Sequence, residues 1–294
     1  MYYRRKIILA LLQLFDGQLE KIRLQKLLFL LSQKQDKPVY DFIPYRFGSY
    51  SYSANADMTA MVTHGFLAVD DKHFTKIDTT NYLHQLKKPD IELLKEVKSN
   101  YGSMSGTALM KHTYTNFPFY AINSEVAENI LNKTELEKVN ACKPKSNKTI
   151  LFTIGYEGIS LEEYLVRLLK NDVKVLVDVR NNPQSMKYGF SKSRLKNYCA
   201  SLGIDYVHIP EVGIQADKRQ ELNTQNDYDK LFANYRKNNL SNTIKYQSKI
   251  LELLEQNKRI ALTCFEANIC QCHRKPLAEA ITNLPEFKYE LRHI

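Results

Sequence analysis

The residues best suited to chemistry lie in one short run near the C-terminus. An apolar stretch, Ile260–Thr263, stops at Cys264 and Glu266. A polar turn follows, and then Cys272, His273 and Arg274 sit at the mouth of a helix expected to begin near Lys275. Two thiols, an imidazole, a carboxylate and a guanidinium can supply a nucleophile, a general acid or base, and an anion clamp. The first N–H groups of a helix lack intrahelical partners and attract anions. A strand ending in reactive groups at a helix start is therefore where an open α/β sheet holds a ligand. Two further runs end in the same way: Lys174–Val179 leads into Arg180, with Asp178 inside it, and Asp205–Pro210 carries His208 and leads into Glu211.

Cys264, Glu266, Cys272 and His273 are thus the candidate catalytic groups. Arg180 and Arg274 offer the fork geometry that matches phosphate or carboxylate. Tyr156, Lys187, Tyr188, His208 and Glu211 complete the candidate ligand- and anion-binding set, with Arg194 as an outer charge. Each has a plainer role to weigh against this: Arg180 bridged to Asp178 or Glu157, the glutamates paired with the arginines, His208 satisfied at a strand end, Cys264 buried as a small residue. Cys264, Cys270, Cys272 and His273 offer enough atoms for a metal. Their spacing matches no paired Cys–x–x–Cys knuckle, however, so no metal or other cofactor is assigned.

The elements that must position these groups alternate. Strands are expected at Thr149–Ile154, Lys174–Val179, Asp205–Pro210, Arg259–Cys264 and Phe287–Ile294. Between them lie a helix Leu161–Lys170 opened by a Ser160–Glu163 capping box, one capped at Ser191 and closed by Gly203, and two more over about 227–256. Such alternation predicts an α/β fold with a mostly parallel sheet and flanking helices, whose strand tips converge on one edge.

The first half reads differently. Helices are expected over Tyr3–Phe15 and Arg23–Gln33. An extended aromatic segment, Tyr40–Ser51, is followed by a third helix capped by Ser51 or Ser53 and ending near His64, then by two short strands in Phe66–Ile77. This is the order of a winged helix-turn-helix, and protein-binding helical domains share it. The third helix carries almost no positive charge, which counts against groove binding. More helix is expected to Asn140. Lys143–Lys148 reads as a linker between a helical, winged-helix-like domain (1–142) and the α/β domain (149–294).

The formal charge of the whole chain is +10. Residues 1–148 hold 21 Lys/Arg against 15 Asp/Glu, and the remainder 21 against 17, so the excess is spread as +6 and +4. A nucleotide or nucleic acid is the partner this balance favours. Ile7–Leu12 is far short of the ~20 apolar residues a membrane span requires, so no membrane association is expected. Five cysteines without a secretory segment predict reduced thiols and a cytoplasmic location. A protein partner for the first domain and a homo-oligomer both remain open.

ThrIleGlyTyrGluGly (153–158), LeuValAspValArg (176–180), SerMetLysTyrGlyPhe (185–190), TyrValHisIleProGlu–x–Gly (206–213), Cys264–x–Glu266 and Cys272–His273–Arg274 together resemble the domain of unknown function 488 family. The resemblance runs from about Lys148 to the C-terminus and implies a Rossmann-like fold without a settled activity. PheIleProTyrArgPheGlySerTyrSer (42–51), after LysLeuLeuPheLeuLeu, resembles Panacea (SocA-like) antitoxin domains over about the first hundred residues, with Ser49 where that family usually has Pro. That implies regulatory protein contacts as well as nucleic-acid contacts. Strand, Cys264, loop and helix also resemble a rhodanese-like layout, which implies cysteine-dependent thiol chemistry, although Cys270 stands where an arginine would close the loop.

Overall fold

The computed structural model describes residues 1–215 and 222–294, which divide into two compact units, Met1–Lys143 and Pro144–Ile294. The first unit runs α1 (Tyr3–Leu14), β1 (Gln18–Glu20), α2 (Lys21–Ser32), β2 (Ile43–Tyr45), β3 (Gly48–Tyr50), α3 (Tyr52–Thr63), β4 (Leu67–Val69), β5 (His73–Lys76), α4 (Lys88–Tyr101), α5 (Gly106–Asn116), α6 (Ala127–Ile130) and α7 (Lys133–Ala141). It is mostly helical. Helix α2 is its axis: every residue from Leu24 to Ser32 is buried, against Ile7, Ile8, Leu11 and Leu12 of α1 and Leu94 and Val97 of α4. Ser51 caps α3, its hydroxyl accepting from the Ala54 N–H at 3.2 Å.

Two features here differ from the sequence reading. The aromatic segment is a hairpin, β2 against β3, in which Gly48 adopts φ +82° and lies so close to Tyr114 that a Cβ would sit 2.2 Å from Cε1. Gln18–Glu20 forms a strand that no pattern announced, because three residues show no periodicity of their own. It pairs with β5, completing an antiparallel sheet of order β1-β5-β4.

The second unit runs β6 (Ile150–Gly155), α8 (Leu161–Lys170), β7 (Val175–Asp178), α9 (Lys192–Ala200), β8 (Asp205–His208), α10 (Gln225–Asn238), α11 (Ile244–Asn257), β9 (Arg259–Cys264), α12 (Arg274–Thr282) and β10 (Glu290–His293). Its five strands are all parallel, in the order β10-β6-β9-β7-β8. Every residue of β6 and β9 is buried, as expected of strands covered by helices on both faces, whereas β8 and β10 at the edges are partly exposed. The expected α/β class and parallel sheet are what the chain forms.

Ser160 caps α8 by accepting from the Glu163 N–H at 3.0 Å. The Glu163 carboxylate pairs with Arg167 one turn on, at 2.6 Å. Among the described residues no helix is long and apolar enough to cross a membrane.

Candidate functional site at the carboxyl edge of the parallel sheet

Neighbouring strands β6 and β9 send their connections in opposite directions, β6 through α8 toward β7 and β9 through α12 toward β10. Right-handed crossovers that run in opposite directions carry their helices to opposite faces of the sheet, which leaves a crevice at the carboxyl ends of the strand pair. The register places Gly155 opposite Cys264, and Asp178 opposite both Thr263 and His208, so the strand tips form one row. The row is tight at Gly155. A Cβ there would lie 2.0 Å from the Glu266 carbonyl oxygen and 2.7 Å from Arg274 Nη1, so the loop after β9 requires glycine beneath it.

Four of the candidate groups meet at this crevice. One ligand atom each from Cys264, Glu266, Cys272 and His273 lies within 4.8 Å of the others. Cys264 Sγ is 3.1 Å from Glu266 Oε2 and 3.5 Å from His273 Nδ1. The opposite ring nitrogen, Nε2, lies 3.0 Å from the Val179 carbonyl. A carbonyl only accepts, so Nε2 carries a proton, and Nδ1 is the ring nitrogen that faces Cys264 Sγ. Cys264, Cys272 and His273 are almost fully buried, and Glu266 is half-buried. Burial, and then the neighbouring Cys264, push the Cys272 thiol well above its ordinary value.

Arg274 holds this cluster together. Its Nη1 donates to the Glu266 carbonyl at 2.6 Å and approaches Cys272 Sγ at 3.4 Å, while Nη2 donates to the Ala267 carbonyl at 3.3 Å. Helix α12 begins at Arg274, and His273 occupies its N-cap position.

Beside it stands a second buried cluster. Arg180 grips Asp178 with both ends of its fork, Nε to Oδ1 at 2.8 Å and Nη2 to Oδ2. Nη1 donates to Tyr156 Oη at 2.7 Å and to the Phe190 carbonyl at 2.9 Å. The Tyr156 ring stacks on Phe190, centroids 4.2 Å apart. Burial pulls the guanidinium down, but the Asp178 carboxylate outweighs it and holds Arg180 above its ordinary value. Both arginines therefore spend their forks on protein acceptors, and their observed role is that of latches. Lys187 does the same, its Nζ reaching the Tyr156 carbonyl.

The remaining candidates spread outward. His208 Nε2 faces the Arg180 carbonyl and its Nδ1 faces Lys192 Nζ, each at 2.9 Å, so it is the satisfied strand-end histidine of the plainer reading. Tyr188 is 38% exposed, with its hydroxyl 3.1 Å from that of Tyr198. Glu211 is exposed in the turn after β8, and Arg194 is exposed on α9. Cys270 is exposed beside Lys275 Nζ at 3.7 Å, outside the thiol cluster.

Three clefts line this edge. One of about 360 Å³ is walled by Tyr156, Arg180, Asn181, Asn182, Cys264 and Phe265. It shares Asn182, Gln184, Ser185 and Met186 with a wider cleft of about 800 Å³ that also takes in Lys192, Lys196 and His208. It shares Asn181 and Ile214 with a third, of about 440 Å³, walled by Glu211, Asn234, Asn238, Asn242 and Lys245.

The sequence reading passed over several of these participants. Tyr206 donates to Asp178 Oδ2, and Phe190 supplies both a stacking face and a carbonyl. Tyr206 sits within a strand, where an aromatic residue signals packing only. The asparagines of loop 181–182 and of α10 carry no spacing signal at all.

No curated protein matches the chain. Residues 160–281 match the family described as "Domain of unknown function DUF488", a span that holds both clusters except Tyr156 and begins after β6. The match lies within the second unit, and the family's description names no activity.

Proposed function

We propose that the α/β unit binds a nucleotide or a strand of nucleic acid along the carboxyl edge of its sheet. One observation carries this reading: three clefts sharing lining residues follow that edge, rich in amides and flanked by the lysines Lys192, Lys196 and Lys245. Amides can satisfy base edges, and lysines neutralise phosphates. Phe265 (42% exposed) and Tyr188 stand at the rim, where rings can stack on bases. The phosphate contacts fall to α9, not to Arg180 or Arg274, which are buried and whose terminal nitrogens already donate to protein acceptors. If the unit turns its ligand over, hydrolysis or group transfer would occur at the β6–β9 crevice, beside Glu266 and His273.

Fluorescence anisotropy with labelled single-stranded DNA, RNA and a labelled mononucleotide tests this. The double variant Lys192→Glu/Lys196→Glu is expected to weaken binding by roughly tenfold or more at low salt. Wild type that binds none of the three probes at low salt rules the reading out.

A second reading is regulation through a protein partner of the first unit, whose helix–strand order is that of a winged helix. Helix α3 contains no Lys or Arg, which disfavours a nucleic-acid groove there. A pocket of about 320 Å³ lined by Ile22, Phe47, Tyr50, Met58 and Phe74, with Phe47 48% exposed, favours an apolar protein contact instead. If this is right, Phe47→Glu abolishes capture of a defined partner and leaves nucleic-acid binding intact.

A further inference from the structure

We propose that Cys264, Glu266, Cys272 and His273 form a binding site for a zinc-type divalent ion. The inference does not depend on what the clefts bind. The donors come from three places that the chain separates and the fold reunites: the tip of β9, the loop beyond it, and the entry to α12. Their ligand atoms lie within 4.8 Å of one another. The edge of a filled zinc tetrahedron with these ligands is about 3.3 to 3.8 Å, so side-chain adjustments of about an ångström close the shell.

Three features beyond proximity point to a metal. First, His273 is oriented as a metal-bound histidine is: Nε2 is tied to the Val179 carbonyl and Nδ1 faces the cluster. Second, the donor set is soft, two sulfurs and an imidazole with one carboxylate, which selects zinc over magnesium or calcium. Third, the charge balances. Two thiolates and a carboxylate around a divalent ion leave one negative charge, and the buried Arg274 guanidinium lies 3.4 Å from Cys272 Sγ to meet it. Cys270, one of the donors the sequence offers, is exposed and stands outside the cluster, and Glu266 is the fourth donor. Glu266 is also the least buried of the four, and Cys264 forms part of the wall of the 360 Å³ cleft. The carboxylate is therefore the ligand placed to exchange with solvent or with a bound molecule.

The test uses the full chain, purified from zinc-replete cells without chelator, with elemental analysis and cobalt(II) titration of metal-stripped protein. Stoichiometric zinc, together with a thiolate-to-cobalt charge-transfer band and the visible bands of a tetrahedral ion, is the expected result. Cys264→Ser and His273→Ala should abolish or strongly blue-shift those bands, and Cys270→Ser should leave them unchanged. Because the buried variants can lose their fold, the wild-type spectrum is decisive by itself. Metal-free protein whose cobalt spectrum lacks the thiolate band overturns the proposal, as does a disulfide between Cys264 and Cys272 or a band that survives Cys264→Ser in folded protein. None of these readouts involves nucleic acid, so this proposal and the binding proposal fail separately.

Discussion

Arg180 sits two positions beyond Asp178, on the same side of an extended chain, and the pair is buried, with side-chain exposures of 0% for Asp178 and 6% for Arg180. Removing one partner of a buried ion pair leaves an uncompensated charge, at a cost of about 3 to 5 kcal/mol. Arg180→Met is therefore expected to lower stability on that scale in urea unfolding of the full chain, and Asp178→Asn/Arg180→Met to recover much of the loss. A single variant within 1 kcal/mol of wild type would place the guanidinium outside the structural core.

Lys26 gives a second prediction at this scale. It is 1% exposed, donates to the Ser49 carbonyl at 2.7 Å, and is lowered by burial to about 7. Between that value and the ordinary lysine value of 10.5, the unfolded chain holds a proton that the folded chain has released. Stability should therefore rise with pH across this window, by at most about 1.4 kcal/mol per unit, with the full penalty present below it. The thermal midpoint of Lys26→Met followed over the same window should lack that slope; parallel profiles for the two proteins would refute the assignment.

At the scale of elements, the connection from β9 to α12 is set by its neighbour β6. The backbone of Tyr156 and Glu157 donates to the Phe265 carbonyl at 3.0 and 2.9 Å, and Ala267 N–H donates to Glu157 Oε2 at 2.9 Å. Gly155 lies directly under this contact. Gly155→Ala must push the Glu266 carbonyl and the Arg274 latch outward, an overpacking cost of about 1 to 3 kcal/mol. The same shift would separate the cluster donors, so weakened cobalt binding should accompany the loss of stability. Wild-type stability and cobalt affinity in Gly155→Ala would show that the strand tip does not hold the loop.

The strand positions were legible from apolar runs of four to six residues bounded by turns. The 3.6-residue spacing of α1 and α2 was equally legible. Strand β1 was not, since its pairing with β5 joins residues 57 apart and leaves no local trace, as in Gln18 Nε2 to Thr75 Oγ1. Nor was the β2–β3 hairpin, whose Pro and aromatic content reads as irregular chain.

On the scale of the whole molecule, charge gives a prediction that no single residue carries. An excess of +10 spread over both units should make nucleic-acid association fall steeply with salt. For a single strand, the logarithm of affinity is expected to decline with the logarithm of salt concentration, and losing Lys192 and Lys196 should reduce that slope by about 0.7 per lysine. An affinity indifferent to salt would mean that phosphates are not what the edge recognises.

Sequence by itself determined that the second half alternates strand and helix, that four of its strands end in polar or reactive residues, and that Cys264, Glu266, Cys272 and His273 belong near one helix entry. Those are local properties, written in periodicity, turns and caps. Only tertiary structure decided which groups answer each other. It set Arg180 on Asp178 and Tyr156, Arg274 on the Glu266 carbonyl, and Glu266 instead of Cys270 beside the thiols. Such pairings depend on distances of a few ångströms between different strands and loops. Parallel register and one tightly packed glycine set those distances, and no spacing along the chain records them.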